Sequence, residues 1–218
     1  MSTIAVVPVK RFGDAKQRLA DHIGTSTRKA LSEAMVTDVL IALRRSKRVD
    51  RVIVVTSEPA AEALANGYDA EPVLDDENTT HSAAAMIGIR SARERGARRV
   101  LLVPGDCPAL APDEVDALLG TVGDPPGVVV VPDRHGTGTN ALILSPPDVM
   151  EPSFGPDSCA RHLELARAAG VPGEVREVPS LSLDVDTFDD LQALRDALAV
   201  RIGGAAHTRG MLNRLARR

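Results

Sequence analysis

The chain has 218 residues, a hydrophobic fraction of 44% and a formal net charge of −4. This length and apolar content suit one large α/β domain, and the mild acidity excludes a global field for nucleic acid. Aromatic residues make up 2% and Trp is absent, which also excludes base-stacking recognition of single strands. Two isolated cysteines, Cys107 and Cys159, make neither a disulfide framework nor a zinc motif. No signal-peptide pattern precedes the first apolar run and no stretch is long enough to cross a bilayer, so a reducing, cytoplasmic setting is expected.

In chain order, a first strand is expected over 4–9, Ile4-Ala5-Val6-Val7-Pro8-Val9. A long helix over 25–46 carries Leu31, Met35, Val39 and Leu43 at helical spacing. A strand over 51–56 precedes a short helix over 59–66 that Gly67 ends. A helix over 82–95, ended by Gly96, leads to a strand over 100–103. Pro112 opens a helix over 112–119. Strands follow over 128–131 and 141–144, parted by a turn-rich loop that lets one of them run antiparallel. A helix over 158–169 closes at Gly170, and strands are expected over 175–178 and 182–186 before a helix over 187–200. Continuous apolar strands alternating with helices predict a mostly parallel sheet covered on both faces, a Rossmann-like α/β fold. Residues 201–218 hold Arg201, Arg209, Arg214, Arg217 and Arg218 with no acid. They read as a frayed or partly helical basic tail beyond a domain of residues 1–200, or as a phosphate- or partner-binding arm.

Ligands of open parallel sheets bind beyond the carboxyl ends of the strands. Pro104-Gly105-Asp106-Cys107-Pro108 falls there, with Gly105 permitting a sharp turn. Leu183-Asp184-Val185-Asp186-Thr187, read as a strand, puts Asp184 and Asp186 on one face and Val185 on the other. Acids gathered at one edge repel unless a cation lies between them, and one or two Mg²⁺ ions suit carboxylates plus substrate phosphates. The alternative is that Asp184 or Asp186 caps the helix starting near Thr187.

The loop after the first strand carries Lys10, Arg11, Gly13, Lys16 and Arg18. Nucleotidyl transfer needs positive charge around a triphosphate as pyrophosphate leaves. Lys16 is expected at the β- and γ-phosphates and Lys10 near the α-phosphate, with Arg18 a further candidate. The alternative is a solvated loop in which Asp14 pairs with Lys10 or Arg18.

Lys10, Ala15-Lys16-Gln17-Arg18-Leu19-Ala20, Gly105-Asp106-Cys107-Pro108, Gly136-Thr137-Gly138-Thr139-Asn140-Ala141-Leu142, Phe154-Gly155-Pro156-Asp157-Ser158 and Leu183-Asp184-Val185-Asp186-Thr187 occur in that order. Together they resemble the phosphoenolpyruvate/2-phospho-L-lactate guanylyltransferases. The resemblance implies a GT-A-like nucleotidyltransferase fold. It implies a reaction of GTP with phosphoenolpyruvate or 2-phospho-L-lactate, releasing pyrophosphate in the making of coenzyme F-420. It implies Lys16 and Asp106 as catalytic groups, Asp106, Asp184 and Asp186 as Mg²⁺ ligands, and Thr139, Gly155 and Ser158 as the acid-substrate pocket. Gly155 would admit close backbone approach, Ser158 would donate a hydroxyl, and Asp157 would cap the helix. Lys10, Arg18, Ser82 and Gly105 fall on the nucleotide side.

Two departures stand out. Pro8-Val9-Lys10 replaces the Gly-rich phosphate loop of sugar-nucleotide relatives, and Asn78-Thr79-Thr80-His81-Ser82-Ala83 replaces a Gly-Leu-Asn run expected to help read the base. The chain resembles the bacterial-type members more, so phosphoenolpyruvate is the expected acid in preference to 2-phospho-L-lactate. A labile product further implies transient handover to the next transferase, with the basic tail as a candidate contact. Rival readings are a sugar-phosphate or molybdopterin-type nucleotidyltransferase, a glycosyltransferase using Asp-X-Asp, and a catalytically silent nucleotide-binding module.

Overall fold

In the computed structural model, the described residues are 2–13, 15–76, 80–121 and 126–216. Asp14, Asn78, Thr79, Arg217 and Arg218 lie outside them. The chain runs β1 (Thr3–Val9), α1 (Thr25–Arg45), β2 (Arg51–Thr56), α2 (Pro59–Gly67), β3 (Glu71–Leu74), α3 (His81–Glu94), β4 (Arg99–Leu102) and α4 (Pro112–Thr121). It continues through β5 (Gly127–Pro132), β6 (Thr139–Ser145), α5 (Ser158–Ala168), β7 (Gly173–Val175), α6 (Phe188–Val200) and α7 (Ala206–Leu215).

The seven strands form one sheet in the order β3-β2-β1-β4-β6-β5-β7. All neighbours are parallel except where β6 inserts antiparallel between β4 and β5. Alternation along each strand sends Ala5, Val7 and Val9 to one face and Ile4 and Val6 to the other. The first face packs under α1, α2 and α4 through Val39, Leu43, Ala61, Val115 and Leu119. The second packs under α3 and α5 through Ala85, Ile89, Ala92, Cys159 and Ala166. Gly88 sits mid-helix because a Cβ there would stand 2.2 Å from Val6 Cγ1. Loss of helix propensity is accepted for close approach of α3 to β1.

The sheet departs from expectation at its margins. β3 was not anticipated, and the strand placed at 175–178 forms instead at Gly173–Val175, so that Val178 enters the core. Residues 182–186 form no strand, because β7 already takes the edge beside β5. They follow a 3-10 turn at Pro179–Leu181 as irregular backbone, tied by the Val185 N–H donating to Asp106 O at 3.2 Å.

The basic C-terminal segment is also built in. α7 lies against α1, and with α6 it closes a third apolar cluster of Leu31, Met35, Val185, Leu194, Leu198 and Leu212. Its free N–H groups are capped by Asp38 of α1, which accepts from Thr208 N at 2.8 Å and His207 N at 3.2 Å. Arg209 donates to the carbonyl oxygens of Leu198, Arg201, Gly203 and Gly204, and Arg201 to that of Ala109. The carbonyls of Leu198 and Arg201 stand at the C-terminal end of α6, where cations are favoured.

Candidate active site

Because β6 is reversed, its first residues lie beside the carboxyl ends of β4 and β5. One edge of the sheet thus gathers Lys10 after β1, Gly105 and Asp106 after β4, and Thr139 and Asn140 opening β6. A cavity of 340 Å³ lies there, lined among others by Lys10, Phe12, Lys16, His81, Gly105, Asp106 and Asp186.

Lys16 is the centre of the charged end. Its backbone is left-handed, φ 57°, and its side chain is 6% exposed. A lysine in this conformation is uncommon, and surrounding structure must hold it there. Phe12 N donates to Glu58 Oε2 at 2.9 Å, pinning the same loop to the start of α2. The Lys16 ammonium bridges Asp106 Oδ2 and Asp186 Oδ1, the latter at 3.0 Å. Burial alone would lower its pKa, but the two carboxylates outweigh that and hold it above the usual lysine value. Burial and then the neighbouring Asp106 push the Asp184 carboxyl up, while Asn140 Nδ2 donates to it at 3.2 Å.

Asp184 and Asp186 therefore flank a buried Val185, as expected, but on an irregular segment rather than a strand. Neither caps α6. Thr187 does so through a reciprocal capping box with Asp190. Gly105 has no positive φ, so its reason is space: a Cβ would stand 2.9 Å from Val36 Cγ2. Arg18 is exposed on the 3-10 turn Gln17–Leu19, away from the cavity lining, whereas Lys10 is exposed at the cavity itself.

The donor set suits a hard divalent cation: carboxylates only, with Asp106 Oδ1 buried and without a hydrogen-bond partner. Among the described residues no group of three or more His, Cys, Asp or Glu side chains is gathered to hold a metal. The Lys16 ammonium is the cation between Asp106 and Asp186 here.

The other end of the edge is neutral. Ser158, buried at the start of α5, donates its hydroxyl to Thr139 Oγ1 at 3.1 Å. His162, one turn further along α5 and fully buried, meets the same Thr139 Oγ1 through Nδ1 at 3.1 Å. Gly155 is exposed with φ 121° and open space where a Cβ would point, so its backbone conformation, not crowding, calls for glycine. Asp157, expected to cap α5, stands at the cap position but its side chain makes no capping bond. Ser82 lies on this side too, accepting from Phe154 N at 2.9 Å rather than lining the cavity. The Phe154 ring meets His81 edge-on at 4.5 Å and His162 at 5.1 Å.

The family described as "Guanylyl transferase CofC like" matches residues 3–215. The chain belongs to this family. It is a nucleotidyltransferase by that membership. A protein of Conexibacter woesei named phosphoenolpyruvate guanylyltransferase is 56% identical over 218 residues, covering 100% of this chain and 98% of that one. A Methanothermobacter thermautotrophicus protein named 2-phospho-L-lactate guanylyltransferase is 33% identical over 99% of this chain and 92% of its own length. A structure of a putative nucleotide-diphospho-sugar transferase from Desulfovibrio desulfuricans G20 superposes with a TM-score of 0.74 at 19% identity, covering 100% of this chain and 98% of that one. That likeness speaks to the fold.

His81, Asn140 and His162 were not singled out from the sequence. His81 lines the cavity, and Asn140 ties Leu181 O, at 2.7 Å, and Asp184 to the opening of β6. Asn140 stands inside the Gly-Thr-Gly-Thr-Asn motif and His81 inside the 78–83 segment, so a signal existed for both; His162 carries none.

Proposed function

We propose that the chain transfers GMP from GTP to phosphoenolpyruvate, releasing pyrophosphate and forming enolpyruvoyl-2-diphospho-5′-guanosine. One observation carries this reading: a lysine held between two carboxylates at the carboxyl edge of the sheet, next to a neutral hydroxyl pair. The first arrangement suits a triphosphate and the second a small anionic acid. A phosphate oxygen of the acid attacks the α-phosphorus in line, a new P–O bond forms, and the bond from the α-phosphorus to the bridging oxygen of the β-phosphate breaks. The substrate is the nucleophile, so no protein nucleophile is required.

Lys16 would meet the charge that builds on the leaving pyrophosphate, and Lys10 lines the same cavity. Asp106, Asp184 and Asp186 would hold Mg²⁺, which when bound would lower the repulsion between two anions. Thr139, Gly155 and Ser158 would hold the acid at the N-terminus of α5, where the helix dipole favours an anion although the Ser158 and Cys159 N–H groups already donate to Gly155 O and Thr137 O. Ser82 helps set the wall between acid and base through Phe154.

The handover of a labile diphosphate to the next transferase belongs to the same proposal. The tail's part in it is narrowed, since Arg201 and Arg209 are engaged within the fold. Removal of everything after Val200 would uncover Leu31 and Met35, so Arg214→Ala is the cleaner probe.

The test is pyrophosphate release from each nucleoside triphosphate, alone and with phosphoenolpyruvate, 2-phospho-L-lactate or a sugar phosphate. Release with GTP and phosphoenolpyruvate above all other pairs is the expected result. Release that ignores the acid, or prefers a sugar phosphate, overturns the reading. Preference for 2-phospho-L-lactate would replace the acid and keep the chemistry.

A further inference from the structure

The neutral end of the site contains a hydrogen-bond chain whose direction can be worked out donor by donor. Ser153 N–H donates to His162 Nε2 at 3.0 Å. A backbone N–H has no other role to play, so Nε2 is an acceptor and carries no proton. The neutral ring then carries its proton on Nδ1, which faces Thr139 Oγ1 at 3.1 Å. Nδ1 is therefore the donor and Thr139 the acceptor. Burial, then the adjacent Arg161 guanidinium, lowers the imidazole pKa to about 4, so the ring is neutral at physiological pH.

Thr139 and Ser158 hold two hydroxyl protons between them, and their mutual bond at 3.1 Å uses one. Because the histidine supplies its own proton to Thr139, the second hydroxyl proton is left over. With the opposite tautomer the histidine would take the Thr139 proton and Ser158 would satisfy Thr139. Neither hydroxyl would then be free to donate. Ser158 is buried and Thr139 half-buried, so the spare proton emerges at Thr139.

We infer that His162 is a positioning residue: held by Ser153 N–H in the Nδ1–H form, it leaves the Thr139–Ser158 pair with a hydroxyl proton to donate to an anionic substrate group. The inference rests on the reading of Thr139 and Ser158 as the acid pocket. A pair so arranged selects an acceptor, a carboxylate or phosphate oxygen, over a hydroxyl or amide N–H. The Phe154 edge at 5.1 Å packs against the ring, helping to hold the imidazole plane.

Two measurements test it. In the ¹⁵N spectrum of the wild-type protein, His162 should show a protonated Nδ1 and a bare Nε2, the reverse of the tautomer that dominates for a free histidine side chain. Kinetically, His162→Leu leaves the spare hydroxyl proton in place but removes the donor that orients Thr139, so it should raise the KM for phosphoenolpyruvate about three- to tenfold, the scale of one neutral hydrogen bond, and leave the GTP KM within about twofold. His162→Asn, whose amide nitrogen can stand near the Nδ1 position, should restore most of the acid KM. In a Thr139→Val background, His162→Leu should add little.

A protonated Nε2 in the spectrum overturns the inference whatever the variants do. So does an unchanged acid KM in His162→Leu when Thr139→Val raises it. If Thr139→Val itself leaves the acid KM unchanged, the acid pocket lies elsewhere and both readings fall.

Discussion

In the function proposed, the two ends of the site each hold an anion, and they do so with different chemistry. At the nucleotide end a lysine in a left-handed backbone sits between Asp106 and Asp186, contributed by segments 90 and 170 residues away. At the acid end Thr139, Ser158 and His162 form a neutral chain within a span of 23 residues. The charged end has strong, long-range interactions that depend on ionisation and on any cation present. The neutral end depends on which atom carries each proton. A triphosphate that loses pyrophosphate needs charge that can respond, whereas a small acid needs a fixed orientation.

Breaking the charged end should have the largest effect. Asp106→Asn is expected to cut kcat by roughly 10³-fold while the far-ultraviolet spectrum stays native. Near-normal turnover in saturating Mg²⁺ would place the chemistry elsewhere. The pH response separates the two ends next. His162 has a folded pKa of about 4 against an unfolded value of roughly 6.5, so the unfolded chain binds the extra proton between them. Its contribution is present in full above the unfolded pKa and is lost as pH falls through the folded one, about 3 kcal/mol in all. Urea melts across this window should show that loss in wild type and a flatter profile in His162→Asn; parallel profiles would sink the assignment.

Lys16→Ala should follow at about 10²-fold in kcat with a weaker effect on the acid KM. Unchanged kcat and GTP affinity would return Lys16 to a structural role between its carboxylates. Thr139→Val and Ser158→Ala are the gentlest probes, each expected to raise the acid KM about tenfold at nearly constant GTP KM. An equal rise in both KM values would mean that the pair shapes the whole edge rather than the acid pocket.

The core strands and most helices were legible because their signals are local. Val128-Val129-Val130-Val131 can hardly be anything but a buried strand, and Pro112 and Gly96 mark helix ends by their own backbone preferences. β3 was missed because Glu71-Pro72-Val73-Leu74 is a short, half-exposed edge strand containing Pro. The Asp184–Asp186 pair was found by an argument about strand faces that the irregular backbone does not support. What keeps Val185 inward is its N–H bond to Asp106 O. The order of α7 was hidden because its cap, Asp38, lies 169 and 170 residues away from the groups it serves. His162 left no trace, since its meaning depends on Ser153 N–H and Thr139 meeting it from either side.

The reversal of β6 has a further consequence for how such a site can change. The wall that carries Thr139 is the tip of a hairpin, residues 133–138, whose turn is closed by Asp133 accepting from His135 N and Thr137 N at 3.1 Å. Parallel strands need long crossovers, and altering one moves a helix; a hairpin tip can lengthen or shorten with its ladder left in register. A residue inserted between Ala141 and Leu144 would instead exchange the side chains that pack on the two faces of the sheet and disrupt both cores. A change in that turn can therefore reshape the wall beside Thr139 while the Lys16 end of the site stays fixed.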